Sequence, residues 1–148
     1  LAVALLCDLR FGSATARCTT AAPKLGLPAE YGMSWMLPRL VGVTRATDLL
    51  LSGRVFTPGE TAEWGLWNGV QADGESALAA AVEFAELLST SVGPNAVATT
   101  KAQIYRDLIR HDVGGAIEDS QRLLGEATAT AEYREGVAAL REKRSPRF

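Results

Sequence analysis

The chain has 148 residues, 47% of them hydrophobic, and carries 15 basic against 17 acidic side chains for a net charge of −2. That length suits one modest domain or a piece of a larger one, with enough apolar residues for a packed core. The near-balanced charge argues against a nucleic-acid partner, which calls for a basic stripe, and no apolar run approaches the roughly 20 residues of a membrane span.

In chain order, residues 1–6 are short, apolar and rich in Ala and Leu, which suits a buried helix end. They are too short for a signal peptide and are followed at once by Cys7, Asp8 and Arg10. The opening LAVALLCDLRF reads as the middle of a structure, so residues preceding Leu1 are expected in the complete protein. Residues 8–13 predict a buried strand and turn, and the Thr-bearing residues 17–20 a second short strand. A helix is predicted over 31–40, interrupted by Pro38, and another over 45–52, ended by Gly53. Residues 54–56 suit a small strand. Thr57-Pro58-Gly59-Glu60 has the form of a helix start: a Thr cap, Pro at the first helical position and Glu three residues after the cap. That helix stops at Gly65, and 68–71 reads as a last short strand. Beyond it the composition turns to long helices, predicted over 75–88, 95–110, 113–124 and 127–143, the last two separated near Gly125. This divides the chain into residues 1–72 and a helical tail, 73–148.

Cys7 and Cys18 form no CxxC pair, and the single histidine, His111, cannot complete a four-ligand zinc set with them. This cysteine use suits a reduced, cytosolic, metal-free protein. Glu30 stands out instead. It lies between the turn Leu27-Pro28-Ala29 and Gly32, which leads into an apolar helical run. An acid at that junction serves either as a helix-start residue facing the positive end of the helix or as a general acid/base on a pocket floor. Met33, Trp35 and Met36 fit either a pocket lining or the core, while Trp64 and Trp67 read as packing residues.

Taken together, the CD strand, the LGL turn, PRLVG, LLLSGR, AEWGLWNGV, the TTK helix and the ending EGVAALREKRSPRF resemble the C-terminal part of the enoyl-CoA hydratase/isomerase family, the crotonases. The resemblance covers nearly the whole chain. It implies an α/β fold, the C-terminal part of a spiral of ββα turns with a helical tail used in trimer assembly. A homotrimer or dimer of trimers is then expected. It also implies an acyl-CoA thioester as substrate, coenzyme A entering only as part of that substrate, with no separate cofactor and no metal. The family's two oxyanion N–H groups belong to elements upstream of this chain.

Two positions depart from the family pattern. The usual hydratase acids fall on Ala2, six residues before Asp8, and on Ala22, four before Gly26. Relatives that isomerise dienoyl-CoA or displace chloride from an aromatic acyl-CoA instead carry an Asp in the loop near the LG pair, and Glu30 lies in that same loop, four residues beyond Gly26. The resemblance therefore implies Glu30 as the acid/base, with Leu25, Leu27, Trp35 and Met36 against the acyl group and Lys101, Lys143 and Phe148 against the CoA moiety. The alternative is a paralogue that binds acyl-CoA without turning it over. The basic C-terminus also reads, without any ligand, as a solvated helix end matched to the helix dipole.

Overall fold

The computed structural model describes residues 1–148. Seven α-helices and two short strands run in the order α1 (Ala2–Leu5), β1 (Phe11–Ser13), α2 (Met33–Val41), α3 (Val43–Ser52), β2 (Gly69–Gln71), α4 (Gly74–Ser91), α5 (Pro94–Asp107), α6 (Val113–Thr128) and α7 (Ala131–Glu142). The chain forms two compact units, Leu1–Glu83 and Phe84–Phe148, which divide within α4. No helix is long and apolar enough to cross a membrane.

In the first unit β1 and β2 pair in parallel, Phe11 opposite Gly69 and Ser13 opposite Gln71. Arg10 and Asn68 brace the entry to this pair. The Arg10 N–H donates to Asn68 Oδ1 at 2.8 Å, and the Asn68 N–H returns to the Arg10 carbonyl at 2.7 Å. The core is built by spacing. Met33, Leu37 and Val41 recur every four residues along α2 and are all buried, as are Ala46 and Leu49 on α3, and with Leu5, Phe56 and Leu66 they form one cluster. Trp64 and Trp67 pack against it, as their type suggested.

In this unit the structure corrects three sequence expectations. Pro38 does not interrupt its helix: α2 continues to Val41. Proline costs about 3 kcal/mol inside a helix. Burial of Leu37 and Val41 on either side of it, at ~1.5–3 kcal/mol per side chain, outweighs that. Residues 17–20 and 54–56 are not strands but meet at a single antiparallel bridge, Cys18 with Phe56. The ladder cannot lengthen because the next residues turn to α3: Thr19 Oγ1 donates to the Gly53 carbonyl at 3.0 Å and Thr20 Oγ1 to the Leu49 carbonyl at 2.5 Å. Both hydroxyls thus tie this segment to the C-terminal end of α3, where the Leu49 carbonyl also accepts from the Gly53 N–H at 3.1 Å. Thr57 caps as expected, accepting from the Glu60 N–H at 3.1 Å, yet the residues after it form a turn and a 3-10 segment, Ala62–Trp64, ended at Gly65.

A single residue, Gly42, joins α2 to α3, ending one helix and starting the other with φ 80° and ψ 159°. Only glycine adopts that region readily. The corner lets two short helices share one apolar face.

In the second unit α6 runs through Gly125 to Thr128, so the helix break lies later than the glycine suggested. Thr130 sets it, its hydroxyl accepting from the Tyr133 N–H at 3.1 Å to start α7. Glu132 on α7 then caps α5 from outside. Its carboxylate accepts from the N–H groups of Asn95 at 3.1 Å and Ala96 at 2.9 Å.

Candidate active site

The loop before α2 is shaped by left-handed residues. Gly26 (φ 72°) ends a 3-10 turn over Ala22–Leu25. Tyr31 (φ 49°) and Gly32 (φ 72°) follow one another, and the Met33 N–H donates back to the Glu30 carbonyl at 3.0 Å. Two successive positive φ values closing an i to i+3 bond make a type I′ turn, with Glu30 its first residue. Glycine accepts such a conformation; a tyrosine held left-handed costs roughly 1–2 kcal/mol.

The turn shows how the main chain begins the helix after Glu30. Helix α2 is started by main-chain atoms: the Gly32 carbonyl accepts from Trp35 and Met36, each at 2.9 Å, and no side chain caps the helix. The Glu30 carboxylate is exposed and makes neither a hydrogen bond nor an ion pair. It makes no capping hydrogen bond to α2.

Around it the loop presents apolar side chains. Leu25 (73%), Leu27 (45%) and Trp35 (39%) are exposed, Met36 is half-buried against the core, and Met33 lies within it. Trp35 is held on two sides by Arg39. The guanidinium lies 3.9 Å from the ring centroid, and its Nη1 donates to the Trp35 carbonyl at 2.8 Å. Such a contact at an exposed site contributes about 0.5–1 kcal/mol. Arg39 was not singled out from sequence, although its place four residues after Trp35 is the signal for such a pair. Ala2 packs half-buried against the core and Ala22 is buried.

The first unit's cavity, about 570 Å³, lies elsewhere. Cys7, Phe11, Cys18, Pro58, Trp67 and Ala77 border it, and Glu30 does not. Burial pushes the Cys18 thiol pKa up, which leaves it a poor nucleophile.

In the second unit, α5, α6 and α7 border an open apolar groove of about 740 Å³, lined by Leu123, Leu124, Val137, Leu140 and Phe148 among others. Phe148 is half-exposed. Lys101 is exposed on α5, and Lys143 is the exposed, left-handed residue that ends α7; neither borders the groove. Arg144 is already occupied, its guanidinium paired with Glu135 at 2.6 Å and with Glu142 at 2.6 Å. His111 is exposed.

The sequence model of the enoyl-CoA hydratase/isomerase family matches residues 1–148. The 1,2-epoxyphenylacetyl-CoA isomerase of Escherichia coli K12 is 34% identical over 151 residues, covering 95% of this chain and 53% of that protein. The crystal structure of an enoyl-CoA hydratase from Bacillus anthracis superposes with a TM-score of 0.89 at 30% identity, covering 97% of this chain and 55% of that one. An enoyl-CoA hydratase from Polaromonas sp. JS666 gives 0.90 at 27%, covering 99% and 56%. The chain spans about half the length of the curated relatives it matches. A match along its whole length, and a backbone that follows solved hydratases from end to end, carry one conclusion: the chain belongs to the enoyl-CoA hydratase/isomerase family and has the fold of its C-terminal, crotonase-like part.

Proposed function

We propose that the complete protein handles an acyl-CoA thioester and moves a proton at the carbon next to its carbonyl, with Glu30 as the acid/base. The carrying observation is that the Glu30 carboxylate is held at the first position of a turn yet is engaged neither in capping α2 nor in any ion pair. An enolate needs N–H donors preorganised around its oxygen. In this reading they come from residues outside this chain, as does the cover that removes water from Glu30. Leu25, Leu27, Trp35 and Met36 bound the acyl group, and Lys101, Lys143 and Phe148 meet the CoA moiety. The assembly is a homotrimer or a dimer of trimers in the cytoplasm, acting in fatty-acid metabolism, and coenzyme A serves only as part of the substrate.

With alanine at positions 2 and 22, a one-acid double-bond shift fits these residues better than hydration by a lyase, which would use two acids. The same alanines support a second reading, a paralogue that binds acyl-CoA without turnover. Deuterium wash-in at the α-carbon of a saturated acyl-CoA separates the two. The complete protein should exchange that proton, and Glu30→Gln should lower the rate by about 10²–10⁴-fold. Exchange by the wild type that survives the substitution removes Glu30 from the mechanism; no exchange by the wild type, with CoA binding intact, selects the binding protein.

A further inference from the structure

The chain has two asparagines, held in different ways. Asn95 is followed by Ala96 at the start of α5. Its side-chain amide donates to the Glu132 carboxylate at 3.0 Å, and the Ala96 N–H donates to the same carboxylate at 2.9 Å. Asn68 is followed by Gly69 and lies exposed at the bend that leads into β2. Residue 69 is glycine for a steric reason: a Cβ there would lie 3.0 Å from the Phe11 ring. The Gly69 N–H is loosely held, 3.4 Å from the Arg10 carbonyl, which already accepts from the Asn68 N–H at 2.7 Å. Strands β1 and β2 have three residues each and no further neighbour in their sheet. So short a pair opens locally at little cost.

We propose that Asn68–Gly69 is a site of spontaneous covalent modification, a deamidation whose isoaspartate product loosens the entry to the β1–β2 pair. The Gly69 amide nitrogen attacks the Asn68 side-chain carbonyl carbon and gives up its proton. The carboxamide nitrogen leaves as ammonia, and a five-membered succinimide remains. Water then opens either ring carbonyl, so the net change is amide plus water to acid plus ammonia. Glycine leaves the attacking nitrogen unshielded. The Ala96 methyl crowds the equivalent nitrogen after Asn95, and Glu132 holds both of the groups that would have to meet. The Arg10 N–H, 2.8 Å from Asn68 Oδ1, polarises the carbonyl under attack. Opening one way gives aspartate, which keeps an oxygen for Arg10. Opening the other way gives isoaspartate, whose main chain is one carbon longer before Gly69. The two ties between residue 68 and Arg10 then cannot persist together with Phe11 opposite Gly69.

The test incubates the complete, folded protein at mildly alkaline pH and follows both asparagines by peptide mass spectrometry with electron-transfer fragmentation, which separates aspartate from isoaspartate. Asn68 should convert about an order of magnitude faster than Asn95, with isoaspartate the larger product, and faster still as pH rises. The isoaspartate fraction should melt below the fresh protein. Asn68→Asp, which adds the charge without the extra main-chain carbon, should melt close to it. Equal rates at the two asparagines overturn the proposal, as does an Asn68 that converts in urea but stays intact in the folded protein. An isoaspartate fraction that melts together with Asn68→Asp overturns the loosening of the strand pair.

Discussion

Thr61 carries much of the first unit's polar order. It is fully buried, donates to the Thr57 carbonyl at 3.0 Å, and accepts from the Trp67 indole N–H at 2.9 Å. One hydroxyl thus joins the 3-10 segment to a tryptophan that packs on the core. Thr61→Val keeps the shape but orphans the indole N–H, and an unsatisfied buried group costs about 1–3 kcal/mol. Urea denaturation should show a loss of that size, while Thr61→Ser should retain most of the stability. Composition shows a threonine at 61, but not that Trp67 will reach it. Glu30 differs in kind. Its position before Gly32 marks it as a candidate, yet only the turn geometry shows that the main chain, not its carboxylate, starts α2.

At the level of elements, α7 and the segment after it form a latch. The chain turns back at Lys143 (φ 54°), the Arg144 N–H closing on the Ala139 carbonyl at 3.1 Å. Glu135 then receives Arg144 through both terminal nitrogens, at 2.6 and 3.1 Å, and the Arg147 N–H at 2.7 Å. This brings the Phe148 ring to within about 4 Å of the Cβ position at Gly136. The Arg144 guanidinium, followed by the Arg147 N–H, pulls the Glu135 pKa down from 4.5 to about 2. A depressed carboxyl stabilises the latch above its unfolded value and loses that contribution as pH falls through the folded one. An NMR titration of the Phe148 ring should accordingly show release centred near pH 2, and a midpoint at the ordinary glutamate value would refute the latch. At pH 7, Glu135→Gln should free the Arg147 amide to exchange. The run of long helices from residue 74 is legible from periodicity, whereas the break at Thr130 in place of Gly125 is not. A glycine inside a helix costs only about 1 kcal/mol, which neighbouring turns absorb, whereas a capping threonine meets the first free N–H groups.

Across the whole molecule, burial is unequal. The first unit holds the core cluster, but from Phe84 to Phe148 only Gly93 and Ala139 are buried, and Ile109, Val113, Leu124 and Leu140 are each more than 60% exposed. Helices of this length are marginal without a packed apolar face. Apolar area of this kind on a helical unit marks an interaction surface. Residues 84–148 expressed alone should therefore lack a cooperative thermal transition in calorimetry, and a sharp two-state melt would contradict this account. It is also why the proposed assembly assigns this unit a partner.

Much of this protein could be read without coordinates. The family, the crotonase-like fold and the helical second half all come from residue order, because motif spacing and helical periodicity are local properties of the chain. The tertiary structure decided what depends on partners distant in sequence: that Thr19 and Thr20 leave strand pairing to cap α3, that Pro38 is carried inside a helix by its buried neighbours, and that Tyr31 is strained and exposed beside a carboxylate with no partner. Hydrogen bonds and burial are settled between segments, and a sequence lists the groups that compete for them without showing which contact prevails.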